Sequence, residues 1–428
     1  MKNGSATIIG FSESGINAGA AASRISTGEG TALDAFGKSG NREKDVKLVG
    51  KVISSGHTTV IEHCWFNIAF NNVSVLCEQL MIEHRLAAYT VKSRRYVDFS
   101  GAGYVVPEGL GEKEDAFRAH IDSLFSAYDK LLALDIPRED ARFVLPYCFR
   151  SNFIMSVNAR ELSHIVNEMT VGRLSVYPEM VYLGTMLGEQ LDEKFPGVSA
   201  AEKKRIHAPA PLKAVETVAS PALAEQSTEI VSAPAEPSAL LASAMEFEGC
   251  DCIKDYVHSD RPRALEMLNY GFLTKDVSLA TVTHFTRHRI QTLMVPEVAT
   301  SLIKNHYILP ETVAERPEAR AIYLDAFERN TAFARQFTGD SVLLSYLALA
   351  GNTVDLLFGM NARELLHFLR LRTCTRAQWE VRGYSREMLA LLRDNFPALF
   401  KYYGPSCAVL GYCPEGRLSC GQPQKIEE

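Results

Sequence analysis

The chain has 428 residues, more than one ordinary compact domain holds, so two domains of roughly 200 residues each are expected. A hydrophobic fraction of 46% suffices for full cores, and a net charge of −6 with no long basic stripe argues against nucleic acid as the main partner. Nine scattered cysteines fit reduced thiols better than a disulfide framework; residues 1–15 lack a basic segment followed by an apolar one, and no run approaches a membrane span, so the expectation is a soluble cytoplasmic protein with no membrane partner.

In chain order, residues 45–55 read as a helix closing near Gly56, 65–70 as a strand, and 73–83 as an amphipathic helix delivering His84-Arg85. Residues 124–134 and 158–169 read as helices. Residues 199–238 are rich in Ala, Pro, Ser and Glu and lack aromatics, which suggests a semi-extended, partly mobile linker between a first domain, 1–198, and a second, 239–428. Beyond it, 261–270 and 278–287 read as helices, and one long helix is expected from 361 past Trp379. Strand signals are fewer than helical ones, so the class is α+β.

Two landmarks repeat at one spacing. Asn-Ala-Arg-Glu-Leu occurs at 158–162 and 361–365 (361 − 158 = 203), and His-Arg at 84–85 and 288–289 (288 − 84 = 204). Coincident offsets indicate a duplicated domain. In the second copy, Asn361 and Arg372 fall on nearly one helical face, roughly 16 Å apart, with Arg376 a turn later and Arg363 and His367 as an i, i+4 pair. Taken alone, that strip reads first as a solvated face with ordinary salt bridges.

The segment Gly56-His57-Thr58-Thr59-Val60-Ile61-Glu62-His63, then His84-Arg85 leading to Ser93-Arg94-Arg95-Tyr96, resembles the flavin-dependent thymidylate synthases. So do Arg287-His288-Arg289 and the stretch from Asn361 to Arg372 with Ala377-Gln378-Trp379-Glu380 after it. The resemblance covers most of both halves. It implies two copies of a fold with a twisted antiparallel sheet and helices, forming a pseudo-dimer. It also implies methylation of dUMP at C5 to dTMP, with 5,10-methylenetetrahydrofolate as carbon donor, FAD as the flavin and NADPH as reductant. Members are homotetramers, so a homodimer of tandem chains is the implied assembly.

Carried over position by position, the resemblance gives Ser93, Arg94, Arg95 and Arg142 to the nucleotide in the first half, where the second half has Glu297, Ala299 and Ser345 at the positions of Ser93, Arg95 and Arg142. Arg287, His284 and the activating Arg372 belong to the nucleotide in the second half; the first half has Glu83 and Met169 at the positions of Arg287 and Arg372. The flavin set is His57, Thr59, Glu62, Asn158, Arg160 and His164 from the first half, with Arg287, His288, Arg289, Asn361, Arg363 and His367 from the second. The losses are complementary, which implies one live and one dead nucleotide site per chain. Each charge-assisted bond to a phosphate is worth on the order of 1.5–3 kcal/mol, so a site lacking several should not bind.

Val91 stands where the family commonly has an acidic residue, and His284 where it has a glutamine; a changed pyrimidine contact would mean C5 alkylation of another pyrimidine nucleotide. A non-catalytic flavin- or nucleotide-binding paralogue is the third reading, disfavoured because both Arg95 and Arg372 remain. Cys407, Cys413 and Cys420 lie in a Gly/Pro-rich tail without a Cys-x-x-Cys pair, and no metal is expected there.

Overall fold

The computed structural model describes residues 4–424; residues 1–3 and 425–428, at the outer ends of the two expected domains, lie outside them. The chain forms two compact units, Met1–Val218 with Glu311–Leu349, and Ala219–Pro310 with Ala350–Glu428.

The first unit is built on β1 (Ser5–Phe11), β2 (Trp65–Ser74), β3 (Ala88–Val91) and β4 (Arg150–Asn158), antiparallel in the order β1-β2-β4-β3. Alternation decides which face is covered: Phe66, Ile68 and Phe70 of β2 and Phe153, Met155 and Val157 of β4 are buried, while Trp65 and Ile154 are exposed. Helices Ala159–Thr170 and Pro178–Lys194 contribute Leu162, Ile165, Met169, Leu183, Leu187 and Leu191 to the core.

The second unit repeats that topology. Its strands are β5 (Ala222–Leu223), β6 (Ser227–Ser232), β7 (Asn269–Ser278), β8 (Gln291–Met294), β9 (His306–Tyr307) and β10 (Thr353–Asn361). β6-β7-β10-β8 form the antiparallel sheet, and β5 pairs in parallel with β9. β7 starts 204 residues after β2 (269 − 65) and β10 203 after β4 (353 − 150), so the duplication extends strand for strand. The α+β class and the tandem copies hold. Among the described residues, no helix is long and apolar enough to cross a membrane.

Three expectations are corrected. Residues 199–238 are not simply a linker: residues 199–218 belong to the first unit, with Val215 and Val218 buried, and β6 is an edge strand of the second sheet. A polar edge strand needs no apolar alternation, which is why composition hid it. Residues 261–270 are not a helix but a short 3₁₀ turn, Arg263–Met267, followed by β7, whose Tyr270 and Phe272 are buried by alternation. The long helix from 361 breaks into Ala362–Arg372 and Trp379–Asn395. The Thr373 hydroxyl donates back to the Leu369 carbonyl at 2.7 Å, and the Gln378 side chain accepts from Val381 N at 3.0 Å as a new N-cap. Arg376 therefore sits in the connecting turn, not one turn further along the strip.

The expected domain boundary is also crossed. Within the first unit, helix Pro317–Ala334 of the second copy lies on helix Glu114–Ala133 of the first. His120 stacks on Phe333 with ring centroids 4.3 Å apart and meets the Asn330 side chain at 2.9 Å; Thr312 donates to Asp140 at 2.7 Å. The backbone of Tyr147 donates to Ala348 O at 2.8 Å, and Pro146 bridges to Leu349. Pro146 and Leu349 are equivalent positions of the two copies (349 − 146 = 203), and equivalent residues that face each other mark a two-fold relation. The copies thus pair as a pseudo-dimer within this unit.

Each copy closes its main strand with the same buried clamp. Glu179 accepts from Ser74 N at 2.8 Å and from Ser74 Oγ at 2.6 Å; Glu380 accepts from Ser278 N at 2.8 Å and from Ser278 Oγ at 2.5 Å. The same serines cap helices Val75–Ile82 and Leu279–Thr286 through Cys77 N and Thr281 N. Glu179 also accepts from Tyr346 Oη at 3.0 Å, a residue of the other copy. Removing that carboxylate strands three buried donors. Glu179→Ala should cost about 3 kcal/mol or more, read as a lowered urea midpoint of the unit, while an exposed control such as Glu193→Ala stays within about 0.5 kcal/mol.

Candidate active site: an arginine loop and an arginine-lined cleft

The capped helix Val75–Ile82 of the first unit carries Glu78, which is wholly buried. Its carboxylate accepts from Ser151 Oγ and lies 2.9 Å from Arg94 Nη2, with Arg94 itself only 8% exposed. This pair pins the loop that follows β3. Beside it, Arg95 Nε lies 2.7 Å from Glu139 Oε2, Arg95 N donates to Ser93 Oγ at 3.3 Å, and the buried Arg142 donates from Nε to the Glu139 carbonyl at 3.0 Å. Ser93, Arg95 and Arg142, separate in sequence, are thereby tied to one place. Two guanidinium groups and a hydroxyl suit a dianionic phosphate. Glu139 was missed by sequence reasoning; its spacing of one helical turn before Arg142 was the available signal.

The second copy has dismantled this arrangement. Val282, Val298 and Val354, all buried, stand at the positions of Glu78, Arg94 and Ser151, and Glu297 and Ala299 replace Ser93 and Arg95. Ser345, at the position of Arg142, is buried and donates to Ser341 O at 2.8 Å. Because three apolar residues serve the second copy, the ion pair in the first is not a requirement of the fold.

The second unit instead holds a cleft of about 870 Å³, a size that suits a cofactor. Its walls include Arg287 and Arg289 after helix Leu279–Thr286, and Arg363, His367 and Arg370 on one face of helix Ala362–Arg372. Asn361 starts that helix by accepting from Glu364 N at 2.8 Å, as Asn158 accepts from Glu161 N at 2.9 Å. The amide oxygens of both asparagines therefore cap their helices, and Asn361 also lines the cleft. Arg363 is paired with Glu266, and Arg160 of the first copy with the equivalent Glu62 (266 − 62 = 204) and additionally with Glu202 at 3.2 Å. The first copy also has Glu83 in place of Arg287 and Asn167 in place of Arg370. Burial pushes Glu83 up to about 7, with Arg173 at 3.7 Å drawing it partly back. An anion is thus served better by the second copy's cleft than by its counterpart.

The two histidines of the His-Arg repeats occupy matching slots, His288 buried and His84 partly so. His288 places Nδ1 3.1 Å from Glu364 Oε1, and its Nε2 accepts from Arg372 Nε at 3.1 Å. Burial, then Arg372, His367 and Arg287, push His288 down to about 2, so the ring is neutral. His84 has Glu161 at 3.8 Å and no partner at Nε2; Met169, fully buried, occupies the place of Arg372. Burial, with Arg173 and His164 adding to it, pushes His84 down to about 3. Of the remaining expected residues, His57, just before the 3₁₀ segment Thr58–His63, and Thr59 within it are exposed, and His164 lies with its ring 6.1 Å from His84. His284 is buried in its helix, and Val91 is half-buried on the edge strand β3. Among the described residues, no group of three or more His, Cys, Asp or Glu side chains is placed to hold a metal ion.

Comparison with known proteins adds names to this geometry. The sequence model of the family described as "Thymidylate synthase complementing protein" matches residues 8–197 and again 211–398. The flavin-dependent thymidylate synthase of Clostridium tetani is 30% identical over 184 residues, covering 38% of this chain and 74% of that relative. That of Geobacter sulfurreducens is 37% identical over 122 residues, covering 27% of this chain and 53% of the relative, so the chain spans about half of that protein's length. Among solved structures, a UMP/dUMP methylase, PolB from Streptomyces cacaoi, bound with 5-Br dUMP, aligns with 21% identity and a TM-score of 0.39, over 48% of this chain and 96% of that one. A likeness of that degree carries no argument for function.

The difference between the copies gives a direct test of the loop's ion pair. Glu78→Val leaves Arg94 buried without its counter-ion and should cost about 3 kcal/mol or more; adding Arg94→Val should recover most of that loss. Urea unfolding of the two variants measures both.

Proposed function

The chain belongs to the thymidylate synthase complementing protein family, with the family's domain present twice, and from that premise we propose that it is an FAD-dependent thymidylate synthase, methylating dUMP at C5 to dTMP with 5,10-methylenetetrahydrofolate as carbon donor and NADPH as reductant. The observation that carries the reading is the division of arginines. The phosphate-binding set, Ser93, Arg95 and Arg142, is intact in the first copy alone, and Arg372, held against a neutral imidazole, is present in the second alone.

In this reading Ser93, Arg95 and Arg142 bind the 5′-phosphate. Arg372 lies against the N3/O4 edge of the pyrimidine, where negative charge grows as C5 becomes nucleophilic; a fixed guanidinium there stabilises the transition state more than the bound substrate. The donor set of the second-unit cleft, Arg287, Arg289, Arg363 and Arg370 with His367, fits the phosphates and ring of a flavin. FAD, when bound, supplies the hydride that completes the methyl group. Glu83, Asn167 and the doubly paired Arg160 make the equivalent place in the first copy a poor host, so one flavin per chain is expected. Likewise Glu297, Ala299 and Ser345 leave nothing to neutralise a second phosphate, so one nucleotide per chain is expected. Two chains would supply four copies of the domain, a homodimer built as a pseudo-tetramer.

Val91 favours a second reading in which the accepted pyrimidine differs, because an apolar side chain there offers the base no hydrogen bond. Turnover of dUMP, UMP and dCMP by the FAD-loaded chain, with reductant and folate, separates the two. Methylation of dUMP is expected; a protein that binds FAD and leaves dUMP unchanged overturns the leading reading. With dUMP as substrate, Arg372→Ala should lower kcat by about 100-fold or more with little change in KM, and Arg95→Ala should raise KM by about 10-fold or more.

A further inference from the structure

Arg372 does not stand alone at the end of its helix. An arginine Nε can only donate, so His288 Nε2, at 3.1 Å, is an acceptor and carries no hydrogen. The single ring proton of the neutral imidazole is then on Nδ1, which faces Glu364 Oε1 at 3.1 Å. One proton arrangement satisfies all three groups. The other tautomer sets N–H against N–H at Arg372 and a lone pair against a carboxylate at Glu364, so both contacts turn repulsive.

We propose that Glu364 is a positioning residue for the reaction: through His288 it holds Arg372 by its Nε and so fixes the orientation of the guanidinium towards the substrate.

Three observations support this assignment, which rests on reading Arg372 as the activating group. Glu364 and His288 are both buried, at 8% and 3% exposure, so neither contact is diluted by water. The His288 ring is hemmed by Phe368 and His367, with centroids at 4.7 and 5.5 Å, so the ring sits in a slot that favours one orientation. The first copy is an internal control. It keeps the equivalent Glu161 and His84 but has Met169 where Arg372 would be; there the carboxylate is 3.8 Å from the ring, and Nε2 has no partner. The tight chain of contacts accompanies the arginine.

The test uses the full chain labelled with ¹⁵N at histidine, the His288 signals being assigned from a His288→Gln variant. The unaltered chain should show His288 as the Nδ1–H tautomer between pH 6 and 8; finding Nε2–H overturns the proposal without recourse to activity. Glu364→Met should release the tautomer and lower kcat for dUMP by about 100-fold, with KM within about 3-fold, since misorientation rather than lost affinity is the defect. Glu364→Gln, whose amide oxygen still accepts from Nδ1, should recover most of that loss. Glu364→Met placed on Arg372→Ala should add no further loss. A full additional loss in that background would mark a merely structural role and overturn the proposal. If the chain turns over no dUMP, the tautomer measurement still decides the assignment, so failure of the positioning claim and failure of the functional reading remain distinct.

Discussion

Everything in each copy hangs from a buried carboxylate that closes a strand onto a helix. Glu179 and Glu380 each hold the N–H and hydroxyl of the serine that ends one strand and caps the next helix. The helix that starts there runs eight residues and delivers the His-Arg pair at its far end, so the clamp fixes where those side chains emerge. Burying a carboxylate is costly, and burial raises the Glu179 pKa; the bonds from Ser74 and Tyr346 offset that cost. Tyr346 comes from the other copy, so the same carboxylate that sets the local geometry also joins the two copies in the first unit.

On that shared frame the copies have diverged where charge is needed. The first keeps an ion pair, Glu78 with Arg94, to anchor a loop of arginines; the second fills the same positions with valines and keeps Arg372 instead. A buried ion pair is weak evidence for stability, because apolar replacements of similar volume often serve as well or better. Its retention beside Ser93 and Arg95, and its loss where those residues are lost, ties it to what the loop does. The pairing of Pro146 with its own equivalent, Leu349, shows that a two-fold contact between the copies survives in the first unit.

Much of this was legible in the sequence because it lies in periodicity and exact repeats. The helix ahead of His84, the strand at Trp65 and the offset of the copies all follow from local pattern. What was not legible depends on partners far along the chain. Residues 227–232 look like linker until they pair with β7, and Tyr270 looks helical until alternation against a core decides it. Asn158 and Asn361, expected to contact the flavin, also cap helices through their side-chain oxygens, a role the Asn-x-x-Glu spacing could have suggested. Glu139 and Glu364 were overlooked because a carboxylate's role is set by which arginine or histidine it meets, and those meet it only in three dimensions.

The central claim is that two degenerate copies supply one working nucleotide site per chain. Calorimetric titration of dUMP into the FAD-loaded chain tests it most directly. A stoichiometry of one nucleotide per chain, with affinity weakened about 10-fold or more by Arg95→Ala, is the predicted result; two nucleotides per chain would contradict it.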